Sequence, residues 1–255
     1  MTRRTTEQTR QLLLSVGTRL VYERGVHVGV THIKLSDVVA ATGLTTGAAY
    51  RCWENQDAFH RDLAAAAVRW RNQAPVANTV AQITRLVEAR APLTEVVRVA
   101  AAANLYRYPD DVGFLTTIAL RACGPTDQNL AKAGRDRLET AVASYSGMYG
   151  VLLELYGYRV RPPFTIDHLT LSLAALSEGL ALQAMSGAPH PHIERPDIRP
   201  GVGSDWTLLA FAIEAIIDRF TEPDPEAAGP VLHEERVRRA KQAVADSQLS
   251  DVPGT

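Results

Sequence analysis

Six consecutive residues, Thr45-Thr46-Gly47-Ala48-Ala49-Tyr50, combine three hydroxyls with three of the smallest side chains. That set suits close approach to a hydrogen-bonding surface better than bond-making chemistry. Threonine hydroxyls can contact several base edges, and alanine or threonine methyls can pack on a thymine methyl. The rest of the chain offers little for catalysis. It holds no P-loop, no GxSxG, no HExxH and no dinucleotide fingerprint, so no enzyme is expected. Asp167-His168 is the kind of acid–histidine neighbour that any chain with seven histidines contains. His190-Pro191-His192 invites a metal reading, but zinc needs three or four ligands and no Cys/Asp cluster accompanies the pair. No cofactor is expected.

The hydroxyl-rich run must be positioned by the elements around it, from Leu35 to Phe59. Leu35, Val38 and Val39 give a short helix an inward face, and Gly43 supplies the left-handed residue that closes it. Thr45 is an N-cap for the next helix, with Leu44 and Ala49 as a weak hydrophobic staple. On that helix Leu44, Ala49 and Trp53 face inward, while Thr45, Thr46, Gly47, Ala48 and Tyr50 face outward. Small outward residues allow a helix to lie close in a major groove, and an exposed helix N-terminus attracts phosphate. Asn55 caps a third helix, with Asp57 in its first turn.

Helical periodicity extends over the chain and predicts an all-α fold. The first helix covers about residues 6–24, with Leu13, Val16, Leu20 and Val21 at helical spacing. Short helices follow near 34–42, 45–52 and 55–72, and Pro75 marks the internal boundary. Val26–Val30 reads as an inter-helix loop. Further helices fall near 78–89, 92–107, 109–122, 127–157, 165–186 and 203–221, with Thr126 as the N-cap of the long one. Four prolines make Gly187–Gly203 a mobile loop. A charged helix near 230–246 pairs Glu234 with Arg238 and Glu235 with Arg239. The expected division is a three-helix helix-turn-helix domain over 1–72, a larger helical-bundle domain over 76–222, and a C-terminal extension over 223–255.

The composition agrees with a globular chain and little more. Hydrophobic residues are 46% and charged residues 22%, and the formal net charge is -1, so no global charge announces a polyanionic partner. Residues 1–61 carry eight Lys/Arg against five Asp/Glu, which permits phosphate contact there. Cys52 and Cys123 lie far apart without a CxxC partner, the pattern of a reducing interior. No stretch approaches the roughly 20 apolar residues of a membrane helix, and the polar N-terminus is no signal peptide. A cytoplasmic, non-membrane protein is the expectation.

Across residues 10–70 the pattern resembles the TetR family of transcription regulators. The matching residues are Thr42-Gly43, Leu44-Thr45-Thr46-Gly47-Ala48-Ala49-Tyr50, Trp53, and Asn55-Gln56-Asp57-Ala58-Phe59. The sequence departs from the family where Gln56 replaces a lysine, Thr46 a basic residue, Ala48 a threonine and Lys34 a capping threonine. The resemblance implies a homodimer that binds palindromic double-stranded DNA, acts as a repressor and is released by a small-molecule effector. It implies that Lys34 and Tyr50 hold phosphates and that Thr45, Thr46, Gly47 and Ala48 face bases, with Arg3 and Arg4 as an added arm.

The region after Pro75 would then hold the effector pocket and the dimer interface. Candidate pocket residues are Tyr106, Phe114, Tyr145, Met148, Tyr149 and Trp206, and their few charges imply a largely apolar ligand. Leu169, Leu173, Leu176, Leu180, Leu208, Ala212, Ile216 and Phe220 fall on the helices expected to form the dimer seam. Burial within one subunit explains the same pattern. The alternative function is a helical small-molecule- or protein-binding module with a degenerate helix-turn-helix, supported by the missing charges at Gln56 and Thr46.

Overall fold

The computed structural model describes residues 4–25, 29–70, 74–107, 111–196, 200–225, 234, 235, 237–239, 241 and 242. Among the described residues the fold is all-α apart from four three-residue strands. The helices are α1 (Thr6–Arg24), α2 (Leu35–Thr42), α3 (Thr46–Tyr50), α4 (Gln56–Arg69), α5 (Ala74–Glu88), α6 (Leu93–Arg107), α7 (Val112–Ala122), α8 (Gln128–Leu155), α9 (Ile166–Met185) and α10 (Leu208–Phe220). The strands are β1 (Tyr158–Val160), β2 (His192–Glu194), β3 (Asp205–Thr207) and β4 (Thr221–Pro223). The expected arm residue Arg3 and part of the Val26–Val30 run lie outside the described residues.

Most helices begin where a side chain can satisfy the free N–H groups of a first turn. Thr5 and Gln8 form a reciprocal capping box on α1, at 3.1 Å and 2.9 Å. Thr165 caps α9 through His168 N, and Thr207 caps α10 through Ala210 N. For α8 the cap is Asp127, whose Oδ1 accepts from the N–H groups of Asn129 and Leu130. The expected cap, Thr126, belongs instead to a preceding 3-10 turn over Gly124–Thr126.

The chain divides into two compact units, and the division corrects the expected domains. One unit joins Met1–Arg71 with Asp111–Glu139, and the other joins Asn72–Asp110 with Thr140–Thr255. The N-terminal stretch of the first unit ends at Arg71, and residues 111–139, expected within the 76–222 domain, group with it. In the first unit, Leu120 of α7 and Leu130 and Ala133 of α8 complete the core built by α1, α2 and α4. Small residues permit this packing. A Cβ on Gly17 of α1 would lie 2.9 Å from Leu63 of α4, and one on Gly113 of α7 would lie 2.9 Å from the Tyr22 ring. Tyr22 donates its hydroxyl to Ala67 O at 2.9 Å, and burial raises its pKa.

In the second unit, α5, α6, α9, α10 and the C-terminal part of α8 surround apolar clusters. β1 pairs antiparallel with β4, with Arg159 opposite Glu222. The segment expected to be a mobile loop is built around a second antiparallel ladder, β2 with β3, in which Ile193 faces Trp206. Trp206 anchors this ladder. Its ring is fully buried, its Nε1 donates to Gly203 O at 2.9 Å, and the Arg195 guanidinium lies 4.4 Å from the ring centroid. The expected 230–246 helix is described only in part. Its Arg238 pairs with Glu235, whereas Arg239 reaches Glu154 and Lys241 reaches Glu88. Val237 packs against the cluster of Ile83, Val87 and Leu152, so this segment docks on the unit, and the expected pairs Glu234–Arg238 and Glu235–Arg239 are replaced by Glu235–Arg238 and Arg239–Glu154.

The two histidines of His190-Pro191-His192 are both engaged. His192 bonds Asp205 through Nδ1 and Tyr106 through Nε2, each at 2.9 Å, and His190 Nε2 accepts from Leu209 N at the start of α10. Only a neutral imidazole can accept at Nε2 when its other nitrogen is protonated. Burial, reinforced by the neighbouring His192, lowers the His190 pKa below its ordinary 6.5. Folding thus favours the neutral form. Its stabilisation is complete above the unfolded-state pKa and is lost as pH falls through the folded-state value. Urea unfolding at about pH 7.5 and about pH 5.5 should show a loss of stability on acidification that is smaller in His190→Gln. Equal losses in the two proteins would remove His190 from this role.

Candidate nucleic-acid interface and apolar cavity

α2 ends because Gly43 turns the chain left-handed, at φ 67° and ψ 14°, with its N–H bonded to Ala40 O. Two residues later Thr45 accepts from Ala48 N at 3.3 Å and starts α3. α3 is only five residues long. So short a helix has no independent stability, and its neighbours must hold it. Ala48 and Ala49 are buried on its inner side, against α1 and α2. Just beyond it, Trp53 is buried, meets Phe59 edge-on at 5.1 Å, and donates Nε1 to Asp62 Oδ2 at 2.6 Å. Arg10 of α1 also pairs with Asp62 and lies 5.6 Å from the Trp53 ring centroid. Asn55 then caps α4 by accepting from Ala58 N at 2.9 Å.

Gln56 holds the other end of the corner. Leu35 N–H donates to Gln56 Oε1 at 3.1 Å, so the amide NH2 faces Ile33 O at 3.1 Å and His60 Nε2 at 2.7 Å. The Leu35 contact requires the Gln56 oxygen to accept, and His60 Nε2 also approaches Ile33 O, at 3.0 Å. This arrangement explains two features of the sequence together. Lys34 occupies the N-cap position of α2 without a side-chain cap bond. The side chain of residue 56, reaching from α4, supplies an acceptor that a lysine there could not. Arg24 at the end of α1 adds an ion pair to Asp37 in the first turn of α2, at 2.9 Å.

The outward face differs from expectation at one residue. Thr45, Thr46, Gly47, Lys34 and Tyr50 are exposed, with Tyr50 56% accessible. Ala48, expected to face outward, is only 8% accessible and offers no methyl to a partner. It lies on the α1 side of α3, where the short helix sinks its inner face. Thr45 remains outside, but its hydroxyl oxygen is occupied as a cap. Lys34 and Tyr50, 16 positions apart, border one hollow with Thr31, Ser36, Thr46 and Gln56. Neither Lys34 nor Arg51 forms an ion pair among the described residues, and both are exposed. A Cβ added to Gly47 would meet nothing within 4 Å. Burial raises the pKa of the Cys52 thiol and keeps it protonated.

The second unit contains a cavity of about 120 Å3 bounded by α5, α6, α8, α9 and α10. Of the six expected pocket residues, Tyr145, Met148 and Tyr149 line it, and the two tyrosine rings stack at 6.0 Å. The other three do not. Tyr106 is exposed and bonds His192, Phe114 belongs to α7 in the first unit, and Trp206 is a core residue outside the lining. Aromatic type alone could not separate these cases. Sequence reasoning missed the α6 wall, where Val96, Val97, Ala100 and Ala101 lie at helical spacing and give no distinctive composition.

The expected seam residues also point inward in part. Leu169 and Leu173 are buried and line the cavity, Leu176 and Leu180 pack near Trp206, and Ile216 and Phe220 pack near Leu169. The exposed stripe is instead Leu171, Ala175, Gly179 and Leu182 on α9, with Phe211 and Ala215 on α10. No helix among the described residues is long and apolar enough to cross a membrane. Searches of family models, curated proteins and solved structures yield no match to this chain.

The Gln56 bridge leads to a stability prediction. Gln56→Ala should cost about 1–2 kcal/mol in urea unfolding, because Leu35 N–H loses its partner. Gln56→Lys should cost as much, since it restores no acceptor. A lysine variant as stable as the wild-type chain would show that the bridge is dispensable.

Proposed function

We propose that this chain is a ligand-responsive DNA-binding transcription regulator of the TetR type, acting as a homodimeric repressor on a palindromic operator. The observation that carries the reading is the outward face of α3. Thr46, Gly47 and Tyr50 stand exposed on a corner held from within by Ala48, Ala49 and Trp53 and by the Thr45 and Gln56 hydrogen bonds. Gly47 is especially informative. It sits in ordinary helical backbone with empty space where a Cβ would go, so the fold itself does not require glycine there. Helix propensity disfavours it. A close-approaching external surface accounts for that choice, and a major groove is such a surface.

Lys34 and Tyr50 at one hollow, with Arg51 nearby in sequence, are the groups suited to phosphates. Base contacts fall to Thr46, the Gly47 backbone and the remaining donor of Thr45. Dimerisation is supported by the exposed stripe of Leu171, Ala175, Gly179 and Leu182 beside Phe211, small and apolar enough for close helix packing. A cytoplasmic location fits a DNA target and two free cysteines.

The direct experiment selects genomic fragments with the purified protein and then titrates an enriched duplex by fluorescence anisotropy at two salt concentrations. Two cationic contacts per subunit of a dimer give an affinity loss of about a hundredfold between 50 and 200 mM salt. No enriched fragment, from folded dimer free of co-purified ligand, would favour the helical binding module with a degenerate helix-turn-helix.

Gly47→Ala gives a sharper check. The free protein should become more stable by about 0.5 kcal/mol, while duplex affinity falls at least about tenfold from the added methyl. Tyr50→Phe should weaken duplex binding with no change in unfolding midpoint, because the Tyr50 hydroxyl makes no hydrogen bond among the described residues. Thr45→Ala is a poorer probe, since it also removes the α3 cap. Unchanged duplex binding in both Gly47→Ala and Tyr50→Phe would move the interface away from α3.

A further inference from the structure

The cavity of the second unit is chemically graded along its length. Leu93 of α6, Leu153 of α8, Leu169 of α9 and Ile217 of α10 meet in one apolar cluster. Ala101 and Leu105, further along α6, meet Leu176 and Leu180 of α9 in another. α6 and α9 therefore run in the same direction past the cavity, and α8 runs against them, since Tyr156 just past its C-terminal end donates to Ala91 O just before α6. In this frame Asn104, Ser177 and Tyr145 fall together at the Leu105 end. The Leu93 end is hydrocarbon.

Two properties limit what can occupy it. Among the described residues, no Asp, Glu, Lys, Arg or His lines the cavity, so a buried charge would find no counter-charge there. The hydroxyls of Tyr145 and Ser177 make no hydrogen bond among the described residues, although both side chains border the space. The lining of α6 from Leu93 to Asn104 rises about 16 Å. At about 120 Å3 the cavity is comparable with apolar cavities that admit a benzene-sized guest, and here that volume is drawn out along a helix.

We infer that this cavity binds a narrow, uncharged amphiphile, with its chain between Leu93, Leu153, Leu169 and Ile217 and one hydroxyl or carbonyl group against Tyr145 and Ser177. As an effector site it rests on the regulator reading above; as a ligand site it does not. Each methylene placed in the apolar end should tighten binding roughly fourfold, and a carboxylate head should be rejected because nothing at the polar end neutralises it.

Titration calorimetry of the intact chain with 1-hexanol, 1-octanol and octanoate tests this. The expected result is one saturable site for 1-octanol, about fifteenfold tighter than for 1-hexanol, with octanoate at least about tenfold weaker than 1-octanol. Tyr145→Phe combined with Ser177→Ala should weaken 1-octanol at least about fivefold while the unfolding midpoint holds. Octanoate binding as well as 1-octanol, affinity independent of chain length, or no saturable heat would each overturn the proposal in the wild-type protein, whatever the variant does. The same alcohol added to a protein–duplex complex separates the two readings. Binding with the stated preferences but without duplex release removes the effector role and leaves the site. Binding by a protein that takes up no duplex overturns the regulator and keeps the ligand.

Discussion

A helix of five residues cannot hold its own shape, and everything notable about the first unit follows from that constraint. α3 gains one cap from Thr45 and buries two methyl side chains, Ala48 and Ala49. Those contacts are too few to orient it. Its entry is fixed by the left-handed Gly43 and its exit by Trp53, which is wedged against Phe59 and bonded to Asp62. Gln56 ties the start of α2 back to α4, so the two helices that flank α3 in sequence are joined directly. The outcome is a short exposed surface whose side chains carry no structural duty except the Thr45 cap. Such a surface is free to be specified by a partner.

The second unit works under the opposite constraint. Its helices are apolar on more than one side, so packing must choose which side to bury. α9 buries Leu169 and Leu173 and leaves Leu171 and Leu182 outside. The same helix therefore contributes to an internal cavity and to an exposed apolar stripe. Large side chains such as Trp206 close the region around α10, while the α6 wall of Val96, Val97, Ala100 and Ala101 leaves space opposite Tyr145 and Tyr149. A cavity remains where small residues face large ones across the bundle without filling it.

Much of this was legible beforehand. The limits of α1 and α2, the start of α4, the caps Thr45 and Asn55, the turn at Gly43 and the burial of Trp53 all agree with the pattern of residues, while α4 ends at Arg69, short of the expected 72. The failures share a cause. Thr126 and Asp127 are both good caps, and only the preceding 3-10 turn decides between them. Ala48 lies at the edge of a helical face, where a few degrees of roll separate inside from outside. Tyr106, Phe114 and Trp206 are as aromatic as Tyr145 and Tyr149, yet one is exposed, one belongs to the other unit and one fills a core. The β2–β3 ladder joins two segments separated by Pro196 and Pro200, which mask any alternation.

By itself the sequence determined what is local: where helices start and stop, because caps and left-handed turns act within a few residues, and which residue types stand at the α3 corner. The tertiary structure decided what is non-local. It set Gln56 beneath α2, joined Met1–Arg71 with Asp111–Glu139, and turned Leu169 and Leu173 toward a cavity while Leu171 stayed outside. The physical reason is that hydrophobic burial has no direction of its own; an apolar residue records that it can be buried, and only the neighbours that arrive from elsewhere in the chain determine against what.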